Sequence, residues 1–402
     1  MSTRLEGMAS IDRSGASAGK LRVVHILSGD LWAGAEVMAI SLMRGIAASN
    51  TCELQAVLMN EGAVAAALRR SGIRVVVLDE RRLSSPRIVL KLRRFFAAFQ
   101  PDIAHAHRYK ENLVCYLATR KLRKAPYLIA TQHGMPERPA GSASVKSEAL
   151  RKLNNHILAR NYARTVAVSK EMKSRLVSEC GFESGKLEVV HNGIELPHTI
   201  ESYREKAFIV GACGRLVPVK NYELFLRCAA LVRNSGNGMR FLLAGDGPER
   251  VALKGLCRDL GLAEVLSMPG HLEDMDTFYR GIDVFVNTSW HEGIPMSVLE
   301  AMARGVPVVV PDVGGFPEIV DDGVDGFLLP EHAPELYAAK CLDLMTDPRK
   351  RESMAHAARR KIEERFSIAR MAEDYNRLYR SIAFCSPEGE SERGVEDSRC
   401  HE

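Results

Sequence analysis

A chain of 402 residues, 46% of them hydrophobic, is too long for one compact core and apolar enough to bury two, each of roughly 150–200 residues. Its nine cysteines are dispersed with no CxxC pair, which excludes a disulfide framework and a cysteine-rich metal site. The net charge of +5 is unevenly spread: residues 1–200 carry 30 Lys and Arg against 17 Asp and Glu, and residues 201–402 carry 25 against 33, which suggests that the halves meet different partners.

Residues 1–20 are small and polar, which predicts a disordered N-terminus without a secretory signal and a cytoplasmic protein. Apolar runs such as Val306–Val310 fall far short of the ~20 residues of a spanning helix. Leu21–Leu27 reads as a strand and Ala33–Ala48 as a helix. Strands at Ile73–Leu78, Ile103–His107, Tyr127–His133, Thr165–Ser169 and Leu187–Val190 then alternate with helical stretches. This predicts an N-terminal Rossmann-like domain over 21–198. Within it, residues 81–180 hold 21 basic against 6 acidic residues. Pro86–Phe99 sets Arg87, Lys91, Arg93 and Arg94 against Ile88, Leu90, Leu92, Phe95, Phe96 and Phe99. Such a basic amphipathic helix fits the inner face of an anionic membrane, or equally a core with the charges in water.

The polar stretch Leu196–Lys206 marks the boundary, with a linker at 199–206. Strands at Ala207–Cys213, Arg240–Ala244, Asp283–Asn287 and Val306–Pro311 predict a second Rossmann-like domain over 207–365. Phe366–Phe384 is periodic, giving a C-terminal helix over 366–385, and 386–402 is a charged tail with nothing to bury.

Three segments follow predicted strands, where loops of parallel sheets bind ligands. His291-Glu292-Gly293-Ile294-Pro295 precedes a helix at Met296–Ala303 that carries Glu300. Gly293 would let backbone amides approach a ligand, and the helix N-terminus attracts phosphate. Both glutamates could hold hydroxyls, or be an ordinary loop residue and a solvated helix residue. Gly214-Arg215 and Lys220-Asn221, with Pro218 between and Lys220 beginning the next helix, place two cations where a diphosphate could lie, unless both are plain surface charges. Gly245-Asp246-Gly247-Pro248-Glu249 is a glycine turn into a helix, in which Asp246 mainly builds the turn. His105-Ala106-His107 and His133 end two strands. From the residues alone, histidines at strand ends are more often structural, and no carboxylate-rich D-x-D element accompanies them to hold a metal.

In this order the pieces resemble the retaining glycosyltransferases of the glycogen-synthase and sucrose-synthase kind, family four, which have the two-domain GT-B fold. The matching elements are G-R-x-x-x-x-K at 214–220, G-D-G-P-E at 245–249 and E-G-x-P-x-x-x-x-E at 292–300. G-x-P-V-V at 305–309, V-G-G-x-x-E at 313–318 and D-G-x-x-G-F at 322–327 follow. Trp32-Ala33-Gly34-Ala35-Glu36 is similar to the family's G-G-x-E loop, with Ala33 in place of the first glycine, and His191-Asn192-Gly193-Ile194 to its N-G-[IV]-[DE] segment.

The resemblance implies an α/β GT-B enzyme whose final helix returns toward the N-terminal domain. It implies transfer of a hexose-type sugar from a UDP- or GDP-sugar to a glycan or lipid-linked acceptor in cell-surface polysaccharide or glycolipid synthesis. No cofactor, no metal and no nucleic-acid partner are expected. In this reading Arg215, Lys220 and the loop Gly293-Ile294-Pro295, through its free amides, meet the donor diphosphate, with Gly34 approaching from the other domain. Glu300 holds the ribose, Glu292 and His133 face the donor sugar, and His105, His107 and Asn192 lie on the acceptor side or are structural. The alternatives are another enzyme on this fold, such as a nucleotide-sugar 2-epimerase or a phosphorylase, and a non-catalytic membrane- or nucleic-acid-binding protein.

Overall fold

A computed structural model describes residues 20–29, 34–134, 145–197, 207–234 and 238–384. The expected disordered ends (1–19 and 386–402), the linker 199–206 and the loop residues Trp32 and Ala33 lie outside the described residues.

Short apolar runs buried on both faces build two all-parallel sheets. The first unit runs β1 (Leu21–Leu27), α1 (Gly34–Ser49), β2 (Cys52–Leu58), α2 (Ala63–Arg70), β3 (Arg74–Val77), α3 (Ser85–Phe99), β4 (Ile103–Ala106) and α4 (Tyr109–Thr119). It continues through β5 (Tyr127–Gln132), α5 (Val145–Asn161), β6 (Arg164–Ala167), α6 (Lys170–Cys180) and β7 (Leu187–Val189). The second runs β8 (Ile209–Cys213), α7 (Tyr222–Asn234), β9 (Arg240–Ala244), α8 (Arg250–Asp259), β10 (Leu266–Gly270), α9 (Met275–Arg280), β11 (Val284–Val286) and α10 (Met296–Ala303). It closes with β12 (Val308–Pro311), α11 (Phe316–Ile319), β13 (Gly326–Leu329), α12 (Pro334–Thr346) and α13 (Pro348–Arg365).

The strand orders are β3-β2-β1-β4-β5-β6-β7 and β10-β9-β8-β11-β12-β13. Both sheets therefore reverse their winding once, between β1 and β4 and between β8 and β11. Those reversals open the crevices in which doubly wound sheets bind ligands.

A last helix, α14 (Ile368–Phe384), leaves the second unit and packs on α1 of the first. A methyl group at Gly45 of α1 would run into Ile368 and Ala372, so the small residue sets how closely the helices approach. Met371, Ala372, Tyr375, Asn376, Tyr379 and Ile382 are its buried face. The chain crosses back beside Ile194, which bridges Ser367 and exchanges backbone hydrogen bonds with Phe366 and Ile368.

Three strands have no counterpart in the sequence expectations. β2 mixes polar and apolar residues, the edge strand β10 contains Pro269, and β13 is four residues beginning with glycine. Most predicted strands also run one or two residues past the ladder, because His107, His133, Ser169 and Asn287 turn out of it. The basic segment forms α3, which buries Ile88, Leu92, Phe96 and Phe99. Arg93 donates to the carbonyls of Leu117 and Ala118, while Arg87, Lys91 and Arg94 are exposed. The helix is thus core-facing with a wet basic face. Among the described residues, no helix is long and apolar enough to cross a membrane.

Candidate active site

The C-terminal crevice is built from glycine backbones in mutual contact. Gly245 has φ +135°, a value open only to glycine, and a methyl there would overlap the Gly214 carbonyl. The two loops are further tied by Gly214 N–H to Ala244 O (3.1 Å) and Leu216 N–H to Asp246 O (2.9 Å). Asp246 accepts from the Gly247 amide and pairs with Arg250, so its visible contacts are those of a turn. In the neighbouring loop a methyl at Gly315 would overlap the Gly293 carbonyl, and the Gly315 amide donates to Glu292 O. The motifs that the sequence scatters over 214–318 thereby become one backbone assembly.

The sequence places Lys220 at the start of a helix. In the structure it ends a 3-10 turn, Pro218–Lys220, and Asn221 at φ 51° separates it from α7. Trp290 N–H donates to Val219 O and the Thr288 hydroxyl to Lys220 O, clamping this turn to the loop after β11. The clamp holds Lys220 Nζ against Glu292 Oε1, which also accepts from Ser289 Oγ (2.9 Å). Arg215 is exposed on the adjoining loop.

Glu300 on α10 accepts from the Tyr279 hydroxyl at 2.8 Å. Burial raises its carboxyl above the ordinary value, against the pull of Tyr279 and Arg304. Burial likewise pushes the Cys213 thiol up to about 12; of the neighbouring charges, Glu300 raises it and Lys220 lowers it. Tyr279 was not anticipated, since one aromatic in a short helix carries no sequence signal.

Across the cleft the first residue of α1 meets the first residue of α10: a methyl on Gly34 would lie 3.9 Å from Met296 Cγ. Two helix N-termini, each a positive dipole end, thus approach one another across the cleft. A methyl on Gly293 would crowd Val168, Met172 and the His133 carbonyl, so this loop passes directly under the N-terminal unit. In the first turn of α1, buried Glu36 pairs with Arg108, an arginine immediately after the His105-Ala106-His107 run.

His105 and His107 are buried at 0% and 3% exposure, stacked 4.3 Å apart, and both contact a third histidine, His25 in β1. His25 was missed although a histidine within the apolar run LRVVHIL is itself a signal. His25, His105 and His107 are the one group of described residues spaced to hold a metal ion. Each of their ring nitrogens, however, already has a hydrogen-bond partner in the protein. His133 lies at the end of this cluster, 3.2 Å from His107.

Asn192 is buried, and its side-chain amide donates to Ile294 O in the second unit. This is a bracing contact between the two units. Nearby, Glu318 of α11 accepts from the amides of Lys170 and Glu171, the first two residues of α6, and contacts His191 Nε2 at 2.8 Å. A carboxylate of one unit thus caps a helix of the other.

Two Rossmann-type units facing one cleft, with a closing helix that returns to the first, define the GT-B glycosyltransferase architecture. The family model of Glycosyltransferase Family 4 matches residues 32–197 and that of glycosyl transferases group 1 matches residues 198–361. The chain belongs to these family-four, group-1 glycosyltransferases. A D-inositol 3-phosphate glycosyltransferase from Kribbella flavida is 30% identical over 64% of this chain and 66% of its own, so the match spans just under two thirds of that relative. The UDP-Gal:alpha-D-GlcNAc-diphosphoundecaprenol alpha-1,3-galactosyltransferase of Escherichia coli is 27% identical over 69% of this chain and 75% of its own. In fold, the chain is similar to Anabaena HepE in complex with UDP-glucose, with a TM-score of 0.78 at 20% identity over 90% of this chain and all of that one.

Proposed function

We propose that the protein transfers a hexose-type sugar, with retention of anomeric configuration and without a metal, from a UDP- or GDP-sugar to a glycan or lipid-linked acceptor of the cell surface. The observation that carries this reading is the meeting of the α1 and α10 N-termini at Gly34 and Met296, with Lys220 held against Glu292 in the loop that leads into α10. Breaking the anomeric C–O bond places negative charge on the leaving diphosphate. Preorganised amides and cations at that point stabilise the charge with no reorganisation during the step. In this reading the amides of Gly293 and Ile294, with Lys220 and Arg215, take the role a metal plays elsewhere. Glu300 receives the ribose hydroxyls, and Glu292 and His133 flank the donor sugar. The named relatives support a nucleotide-sugar donor and, in the galactosyltransferase, a lipid diphosphate acceptor.

The test is transfer from UDP- and GDP-hexoses to undecaprenyl-diphosphate-linked sugars and to inositol phosphate, with and without excess EDTA, and NMR of the product's anomeric centre. Retained configuration and activity in EDTA are expected. An inverted product, or activity restored only by Mg²⁺ or Mn²⁺, would overturn the corresponding part.

A further inference from the structure

Trp290 stands out against its surroundings. From Val284 to Ala303, the strand, loop and helix that carry Glu292 and Glu300, it is the one exposed residue. It leaves 55% of its surface in water, although tryptophan is on average a highly buried side chain. The site is nevertheless well fixed. Its backbone amide donates to Val219 O at 2.8 Å, and the preceding Thr288 and Ser289 are buried and hydrogen-bonded. The indole is therefore turned outward by a backbone that cannot readily turn it in.

The ring is also backed. His332, in the connection from β13 to α12, has its ring centroid 4.3 Å from that of the indole, 34° from parallel. Its Nε2 lies 3.0 Å from the Ser289 carbonyl, which can only accept, so Nε2–H donates. The hydroxyl of the same Ser289 donates to Glu292 Oε1 at 2.9 Å. Indole, imidazole and the Glu292 carboxylate thus hold fixed places relative to one another.

The connections β8 to β9 and β11 to β12 run in opposite directions along the second sheet, so right-handed crossovers set α7 and α10 on opposite faces. α12 packs on α7, and α13 on α10. The chain returns to the first unit from the end of α13, where the Phe366 carbonyl accepts from Ile194. Trp290 belongs to the other face, its amide held by the turn before α7 and its ring by the loop into α12. It stands at the mouth of the cleft away from the return crossing, whereas Glu300 on α10 lies on the crossing side.

A rigid, flat apolar ring in water suits a ligand with one apolar face and a polar edge. A pyranose has this shape, with axial C–H bonds on its face and hydroxyls around it. A protein partner would call for a wider apolar patch, and the residues flanking Trp290 in sequence, Thr288, Ser289, His291 and Glu292, are all polar. We propose that Trp290, braced by His332, is a glycan-stacking platform, a subsite at this mouth of the cleft for a pyranose ring of the acceptor. His332 is then a positioning residue, acting through the indole. Use of the bound glycan as acceptor rests on the sugar transfer proposed above; binding of a pyranose does not.

Trp32→Phe leaves Trp290 the sole tryptophan of the chain. Its emission, excited beyond the absorption of nucleotides, is titrated with maltotetraose, chitotetraose, UDP and GDP. A saturable shift with at least one oligosaccharide is expected. No response to either oligosaccharide overturns the proposal, and a response to nucleotides alone assigns the ring to the base instead. Kinetics test the acceptor clause. Trp290→Ala should raise KM for an undecaprenyl-diphosphate-linked oligosaccharide roughly tenfold, the size of one lost aromatic contact, with kcat falling less and the donor's apparent binding constant unmoved. Trp290→Tyr keeps a flat ring and should recover most of the loss; Trp290→Leu keeps only apolarity and should not. His332→Ala should give a smaller rise in KM together with lower anisotropy of the Trp290 emission. Unchanged KM in Trp290→Ala, full recovery by Leu, or an enzyme that accepts inositol phosphate alone overturns the acceptor role. If no UDP- or GDP-hexose is transferred or hydrolysed, the function proposed above fails, and a saturable oligosaccharide shift still upholds the platform.

Discussion

The two Rossmann-type units share the strand order 3-2-1-4-5-6 and bring opposite chemistry to their crevices. At the β8/β11 reversal the C-terminal unit uses glycine backbones, a lysine and two carboxylates. At the β1/β4 reversal the N-terminal unit places His25 opposite His105 in neighbouring strands and buries both completely. One crevice suits a dianion whose charge grows during reaction. The other holds histidines that burial keeps uncharged, which in the proposed function lie behind a neutral, hydroxyl-rich group. The same topology thus supplies only a location; the residues at the strand ends determine what binds there.

Lys220→Ala strikes the charged crevice hardest. Its contact with the leaving group should be stronger in the transition state than in the ground state, so turnover should fall on the order of a hundredfold while the donor's apparent binding constant rises less. Steady-state transfer and donor titration on the same folded variant would measure both. Unaltered turnover would move the leaving group elsewhere and dissolve the contrast between the units.

Glu300→Gln keeps shape and removes charge. Nucleotide affinity should drop roughly tenfold, the worth of one charged hydrogen bond, with the melting temperature of the free protein little changed. Calorimetry with UDP and GDP decides it, and wild-type affinity for both would free Glu300 from the ribose.

Glu318→Gln tests the seam rather than either crevice. Burial by itself would raise this carboxyl, but His191 and the amides of Lys170 and Glu171 outweigh it and hold it below the ordinary glutamate value. A depressed carboxyl stabilises the fold above the unfolded-state value and loses that contribution as pH falls through the folded one. Wild type and variant should therefore differ by about 1 kcal/mol at neutral pH, from the lost helix cap, and converge in acid below the ordinary carboxylate range. Equal stability at pH 7 would show that the contact does nothing.

The smallest effect on transfer itself is expected from Arg87, Lys91 and Arg94, the exposed charges of α3. Converting all three to Gln should weaken binding to anionic vesicles at low salt by roughly 1 kcal/mol each and leave transfer to a water-soluble acceptor untouched. Vesicle sedimentation against salt reads this out, and unchanged binding would leave the basic balance of this half without a membrane role.

Much of this was legible in the sequence because it rests on local patterns. Apolar runs gave the strands, and the glycines of 214, 245, 293 and 315 marked loops that turn out to press on one another. Weak or irregular runs hid β2, β10 and β13. The histidine cluster was not legible, since its bonds join residues separated by up to 354 positions and no local spacing encodes them. The helix cap by Glu318 reaches across 148 positions for the same reason. Lys220 stood out in the sequence, yet its place at the start of the next helix was wrong, because Asn221 takes a left-handed conformation that separates its turn from α7.

The return of α14 to the first unit bears on how the protein is made. Residues 21–189 leave the ribosome long before residues 368–384, yet Tyr375, Asn376 and Tyr379 complete polar contacts inside that first unit. At 5–20 residues per second the gap is roughly 10–40 s, during which the face of α1 around Gly45 waits uncovered and His25 and His105 lack the hydroxyl of Tyr379. The N-terminal unit is therefore first in synthesis and last to be finished. A nascent chain stalled before α14 would present a sticky, half-satisfied surface to chaperones.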